Sequence, residues 1–389
     1  VTRPKDADRP ALVRLDEVRA AMDREEYPPP LDGGLATRAI HGGEHPGAPA
    51  VPIYPANAVG EVWAYSRYSN PTVKAFEANF RELEGGAGTV ATASGMAAVS
   101  QTLLGLLRSG DRLVVHRSLF VGVRTLLQDF LPHYGIDVVA VDMRQPELLA
   151  EALEVPTKIV FFEPVTHPEV EVIDAPACLE LVGRAGALAV VDNTFLTPCL
   201  FRPLMHGADV VVHSVSKYAG GHGDAIGGVV TARSEEVARR IRKARRILGG
   251  TLSPISAYFL SRGLKTLPLR MERHCANALR VATFLEGHPK IAEVLYPGLP
   301  SFPGHRTAAS YLRAFGGVVC FRFAGGVDKD GVDKEKFGAA LRLCKVRFSF
   351  GETETVVLLQ DEVPLVRISV GLEDPEDVIA DLARALEAC

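Results

Sequence analysis

The sequence predicts an α/β protein with a mostly parallel central sheet and a smaller C-terminal α+β section. Two observations carry this. Between about residues 72 and 215, short Val- and Ile-rich runs alternate with helix-patterned segments, as in a sheet covered on both faces by helices. Past about residue 270 the alternation changes to a few apolar strands among helices. The expected division is an N-terminal arm at 1–71, a large domain at 72–270 and a small domain at 271–389.

Residues 1–35 are charged and proline-rich, with one helical pattern in "ALVRLDEVRAAM", and end at "PPPLDGG". They read as arm or linker rather than core. "TVKAFEANFRELEG" then predicts a helix, and the small-residue turn "TASGMAAV" opens another. "DRLVVH" predicts a strand, "VRTLLQDFL" a helix, "IDVVAVD" a strand and "ELLAEAL" a helix. "TKIVFFE", "ALAVVD" and "ADVVVHS" are strands, with the helix "CLELVGRAG" after the first of them. "SEEVARRIRKARRIL" is helix-like, and the small domain carries strands in "GGVVCFRFAGG" and "VRISVGLED".

At 389 residues the chain can bury a large core. A formal net charge of -4 with no long basic run favours neither nucleic acid nor an anionic membrane. No apolar run approaches the ~20 residues of a membrane helix, and the polar start "VTRPKDADRP" has no signal-peptide hydrophobic region. The six cysteines are scattered without C-x-x-C spacing, which argues against a disulfide framework or a zinc site and points to a reducing cytoplasm. The chain begins with Val rather than Met, as a trimmed or excised product would.

Parallel sheets bind ligands beyond the carboxyl ends of their strands. The strand-ending residues are therefore the ones to weigh: His116 onward, Glu163 onward, Asp192, and Ser214 to Lys217. In "SVSKYAGGHGDAIGG", Lys217 stands between an apolar run and a glycine-rich one. A buried ammonium is costly unless it is paired or chemically used. Asp192 ends a strand 25 residues before Lys217, so neighbouring parallel strands would put carboxylate and amine on one rim. The "ASGM" turn at Ala93 to Met96 offers backbone N–H groups at a helix start, which suits a phosphate. Amine, carboxylate and phosphate cradle together match pyridoxal phosphate, whose aldehyde takes a lysine and whose ring nitrogen takes an acid.

Taken singly, each piece has a plainer reading: lysines usually sit on exposed loops, and strand-ending aspartates usually cap turns. "GHGDAIG" lacks the strand–turn–helix context of a dinucleotide motif and is rejected as one. His213 and His222 show no metal-ligand spacing, so structural roles and no metal are expected.

The combination resembles a known family. "VVHSVSKYAGGHGDAIGG" is similar to the lysine signature of the Cys/Met metabolism enzymes that use pyridoxal phosphate: cystathionine γ-synthases, γ-lyases and β-lyases and methionine γ-lyases. "YSRYSNPTVKAFE", "TASGMAA", "VVDNTF", "SPISAYFLSRGLKTLPLRMERH", "VLYPGL" and "LVRISVGLED" resemble the same family in the same order, over roughly residues 60 to 385.

The resemblance implies an aminotransferase-like fold (fold type I) with pyridoxal 5'-phosphate on Lys217, which also shuttles protons at the substrate Cα. It implies that Asp192 pairs with the ring nitrogen. It further implies that Gly95 and Met96 amides, with Ser214 and Ser216, hold the phosphate. Tyr65 and Arg67 match residues that the family supplies from a neighbouring subunit, implying at least a homodimer, with tetramers usual. Arg367 matches the arginine that grips the substrate α-carboxylate, and Ser349 a serine near that carboxylate and the lysine.

Four departures fall on the substrate side. Phe120 stands where most members carry a tyrosine, keeping the stacking on the cofactor and losing the phenol. His167 replaces the usual asparagine at the cofactor's phenolic oxygen or the substrate carboxylate, introducing an expected pH-sensitive charge. The segment between "TETVVLLQ" and "PLVRIS" is short, and apolar Phe348 stands near where some members engage the distal amine of cystathionine. These departures point to a specialised member. The leading expectation is a carbon–sulfur lyase, by β- or γ-elimination, acting on a sulfur-containing L-amino acid. The alternatives are γ-replacement on an activated homoserine and a non-catalytic domain of a larger assembly.

Overall fold

Seven strands form the large sheet: β1 (Gly88–Thr92), β2 (Arg112–His116), β3 (Asp137–Val141), β4 (Ile159–Phe162), β5 (Leu188–Asp192), β6 (Val210–Ser214) and β7 (Gly228–Ala232). Their order is β1-β7-β6-β5-β4-β2-β3. The molecule is a computed structural model that describes residues 31–44, 50–58, 65–167, 169–324, 334–359 and 365–389. The pattern in "ALVRLDEVRAAM" and the short segment before "PLVRIS" lie outside them.

Within the sheet β2–β6 run parallel and β7 runs against both its neighbours. The middle strands are apolar on both faces, as parallel strands sandwiched by helices must be. Phe161, Val190 and Val212 enter one core, and Phe162, Val191 and Val211 the other.

The helices are α1 (Leu35–His41), α2 (Pro71–Glu84), α3 (Gly95–Leu106), α4 (Val121–Thr125), α5 (Pro146–Ala152), α6 (Ala175–Arg184) and α7 (Thr197–Leu200), followed by α8 (Glu235–Leu248), α9 (Pro254–Lys265) and α10 (Leu267–Glu286). The start of α2 is written in its sequence. Asn70 accepts from the N–H groups of Thr72 and Val73, and Pro71 fills the first turn, where its missing N–H costs nothing. The segment "VRTLLQDFL" is not one α-helix. After α4 the chain widens into a π-turn at Leu126–Phe130 and tightens to a 3-10 turn at Leu131–Tyr134. Pro132 has no N–H to continue the ladder, and the Leu131 N–H reaches back five residues to the Leu126 carbonyl.

The C-terminal sheet comprises β8 (Ile291–Leu295), β9 (Val318–Phe323), β10 (Lys345–Val346), β11 (Val356–Leu359) and β12 (Val366–Ser369), in the order β10-β11-β12-β9-β8. Around it lie α11 (His305–Tyr311), α12 (Lys334–Ala340) and α13 (Pro375–Glu387). Helix α10 runs unbroken through residue 270 and joins the two sheets. Val160 and Val211 of the large sheet share one apolar core with Phe321 and Ile368 of the small one. Among the described residues no helix is long and apolar enough to cross a membrane, and all six cysteines are free thiols.

A buried ion pair ties α2 to α8. Glu77 and Arg245 meet at 3.0 Å, with side chains 1% and 2% exposed. Glu77 also accepts from the Ala91 N–H at 2.8 Å, and Arg245 donates to the Ala91 and Tyr68 carbonyls. Burial alone would raise the Glu77 pKa, but the charges of Lys74, Arg245 and Arg242 and the Ala91 N–H together lower it.

With its folded pKa depressed, the stabilisation from Glu77 is complete above the ordinary carboxylate pKa and is lost as pH falls through the folded value. Glu77→Leu is expected to cost about 3–5 kcal/mol by leaving Arg245 without its carboxylate. Thermal melts from pH 3 to 7 check this: the wild type should lose its advantage over the variant at the acid end.

Candidate active site

The register of β4, β5 and β6 builds the rim. Phe162 lies opposite Val191, and Asp192 opposite Val212. Side chains alternate along a strand, so Glu163, Asp192 and Ser214 share the face of Phe161, Val190 and Val212. Asp192 Oδ1 accepts from the Thr194 N–H at 3.0 Å and the Thr194 hydroxyl at 2.5 Å. The same hydroxyl accepts from the Ser214 N–H at 2.8 Å, locking the β5 and β6 ends together. Glu163 is 7% exposed and accepts from the Phe120 N–H at 2.8 Å.

The two carboxyls are felt by one another. Burial pushes the Glu163 pKa well up and the Asp192 charge pushes it further. Burial also raises Asp192, opposed by the Thr194 hydrogen bonds and the charge of His213. The added push of the Asp192 charge falls on Glu163, so of the two Asp192 is the readier to ionise.

Lys217 leaves β6 on a turn that closes with its N–H on the Ser214 carbonyl. The glycines that follow admit a buried arginine. At Gly221, φ +74°, a Cβ would stand 1.9 Å from Arg270 Nη1, and Arg270 donates to the Tyr218 and Ala219 carbonyls. The Lys217 amine donates to the Ser349 hydroxyl at 3.0 Å and lies 4.9 Å from the centre of the Phe350 ring. Burial, then the nearby Arg367 charge, lowers its pKa against the opposing pull of Glu352.

Arg367, on β12, donates to the Ser349 carbonyl and to His167 Nε2. Among the described residues its Nε is buried without a hydrogen-bond partner. Ser349 holds φ +104°, a conformation that costs a non-glycine residue about 1–3 kcal/mol.

His167 sits on a hairpin-like loop pinned by Glu171. That carboxylate meets Arg117 at 2.6 Å, Arg144 at 3.1 Å and His116 at 3.2 Å. The His167 ring stacks on Phe350, with centroids 5.7 Å apart. A guanidinium only donates, so Nε2 must accept and the proton sits on Nδ1. Burial and the charges of Arg367 and Lys217 push the His167 pKa down to about 3. The imidazole is thus neutral throughout the physiological range, and the pH-sensitive charge expected from its sequence position is absent.

At the start of α3, Ser94 caps the Ala97 N–H at 3.1 Å. The Gly95 and Met96 N–H groups have no carbonyl within the helix to reach. Gly95 is packed so closely on Ser214 that a Cβ would stand 2.5 Å from the Ser214 Cβ. The Ser216 hydroxyl is engaged with both backbone groups of Gly227.

Phe120 is 43% exposed, and a Cβ on Gly122 would meet both its ring and the Met96 sulfur. The remaining sequence-flagged residues stand apart. Arg67 donates to the Arg246 carbonyl at 3.0 Å and stacks on Tyr68, with Tyr65 beside it. Phe348 is 82% exposed. Thr194 and Phe350 escaped sequence reasoning. Asp-x-Thr after a strand is a visible turn signal for Thr194, whereas nothing local separates Phe350 from an ordinary core aromatic.

A profile of the Cys/Met metabolism PLP-dependent enzymes matches residues 54–363. The chain belongs to this family. It is 37% identical to an L-methionine gamma-lyase of Fusobacterium nucleatum subsp. polymorphum, over 91% of this chain and 98% of the relative. It is 38% identical to a cystathionine gamma-synthase of Mycobacterium leprae, over 91% and 97% of the two chains. The crystal structure of cystathionine gamma-lyase from Lactobacillus plantarum, complexed with L-serine, superposes with a TM-score of 0.87 at 32% identity, covering 92% of this chain and 99% of that chain.

Pyridoxal phosphate is the cofactor of this family, and the donor set fits it. Lys217 offers an amine of lowered pKa, Asp192 an acid for the ring nitrogen, and the α3 N-terminus free N–H groups for a phosphate. Thr194→Val removes the hydroxyl from Asp192 and the acceptor from the Ser214 N–H. It is expected to weaken cofactor binding about tenfold, or ~1.4 kcal/mol, as read by absorbance titration of the apoenzyme.

Proposed function

We propose that this chain is a carbon–sulfur lyase that eliminates a thiol from the γ-carbon of an L-amino acid with an apolar thioether side chain. The observation that carries this is the meeting of the Lys217 amine, the Ser349 hydroxyl and the Arg367 guanidinium in one corner beyond the sheet rim. The relatives named L-methionine gamma-lyase support the γ position. Apolar Phe120 and Phe348 offer no charge for a distal amine, which suits a plain thioether.

Pyridoxal phosphate, when bound, supplies the electron sink that makes the substrate Cα–H acidic. Arg367 binds the α-carboxylate, using donors such as its unpartnered Nε. Lys217 Nζ, held by Ser349, removes the Cα proton and returns protons along the substrate chain. A departing thiolate needs little acid assistance, so the phenol missing at Phe120 is not required. With one water consumed to release the nitrogen, the products are a thiol, ammonia and a 2-oxo acid. A second reading, γ-replacement on an activated homoserine, is favoured by the 38% identity to the cystathionine gamma-synthase.

We also infer a homodimer that shares its active sites, assembling further to a tetramer, in the cytoplasm. Tyr65 and Arg67 lie against the end of α8, where Ile247 is 73% and Leu248 53% exposed, and Ile255 at the start of α9 is 52% exposed. That apolar surface suits a second copy.

Purified protein with pyridoxal phosphate is expected to convert L-methionine to 2-oxobutyrate, identified by mass spectrometry. With L-cystathionine, pyruvate would place the cleavage at Cβ and overturn the γ assignment. Cystathionine formed from O-acylhomoserine and cysteine, without 2-oxo acid, would favour replacement. Lys217→Ala should lower turnover by at least about 1,000-fold. Mixing inactive Lys217→Ala and Arg67→Ala subunits after dissociation should restore about a quarter of the sites if subunits share them; no recovery would sink the shared-site arrangement.

A further inference from the structure

Phe120 and His167, two departures from the family pattern, lie on different loops, one after β2 and one after β4. A single side chain stands against both. Glu163 accepts from the Phe120 N–H at 2.8 Å, and the His167 backbone N–H is near enough to favour its anion. It is also the face-sharing neighbour of Asp192 across β4 and β5. We propose that Glu163 is a positioning residue: its one carboxyl, by holding the Phe120 backbone beside the His167 loop, sets where the Phe120 ring borders the cofactor site. The proposal rests on the family's cofactor occupying the Asp192–Lys217 rim.

The geometry explains why this residue is an acid at a buried strand end. The Phe120 N–H needs an acceptor there, since a buried unpaired donor is costly. Burial and the Asp192 charge push Glu163 toward its neutral form, which spares Asp192 a second negative charge alongside. The carboxyl stands beside the His167 backbone as well, and the His167 side chain contacts Arg367.

The test compares Glu163→Gln, which keeps an acceptor for Phe120, with Glu163→Ala, which removes it. Three readouts are needed: cofactor affinity of the apoenzyme, the visible circular dichroism band of bound cofactor, and the apoenzyme melting temperature. Glu163→Ala is expected to lose at least about fivefold in cofactor affinity and to change the band, and Glu163→Gln to lose clearly less.

The proposal is overturned if Glu163→Ala leaves affinity and band unchanged, or lowers only the melting temperature. It is equally overturned if Glu163→Gln is as damaging as Glu163→Ala, because the charge would then matter rather than the acceptor. Should Glu163→Ala not fold, Glu163→Asp retracts the carboxyl by one methylene and must show the same loss of affinity. Wild-type affinity in Glu163→Asp, or failure of both variants to fold, also overturns the proposal. A wild-type protein that binds no pyridoxal phosphate would instead remove the cofactor reading beneath it.

Discussion

Two carboxyl groups end adjacent parallel strands on one face, and both cannot comfortably be ionised there. The rim is arranged around that constraint. Asp192 receives two hydrogen bonds from Thr194, with the His213–Glu84 pair on the opposite face of the sheet. Glu163 receives the Phe120 N–H and is pushed toward its neutral form by burial and by the Asp192 charge. One acid is thereby made available as an anion, while its neighbour serves as a structural acceptor.

The opposite side of the site carries the complementary problem. Lys217 and Arg367 bring two cations close together, and each lowers its charge tolerance through burial. His167 is kept neutral between them, and the Phe350 ring presents its face to both, 4.9 Å from the amine and 5.8 Å from the guanidinium carbon. With the α3 N-terminus nearby, this favours ligands with two anionic ends, as a phosphate and an amino-acid carboxylate together provide. The strained Ser349 backbone fits the same picture. Its carbonyl holds Arg367 while its hydroxyl receives Lys217, so one residue spans both cations.

Rigidity comes from buried polar anchors as well as from the apolar core. Arg270 fastens the glycine-rich turn after Lys217, and Glu171 fastens the His167 loop through three basic groups. Each anchor joins segments distant in sequence, so the positions of the reactive groups depend on interactions the local chain does not contain.

The alternation of apolar strands with helices, the strand-ending Asp192, the turn at Gly95 and the lysine at the start of a glycine-rich loop were all legible in the sequence. Those features arise from backbone period, capping and φ preference, which act over a few residues. The reversed strand β7 was not legible, because its direction follows from pairing with β1 and β6 rather than from its own residues. Nor was the π-turn after α4. The contacts of Lys217 with Ser349, 132 residues away, and of Arg367 with His167, 200 residues away, exist only because the second sheet packs against the rim of the first. Sequence alone could nominate these groups by resemblance. Their partners and their shared contact with Phe350 were decided by tertiary packing, since burial and distance set electrostatic energies and neither is a local property.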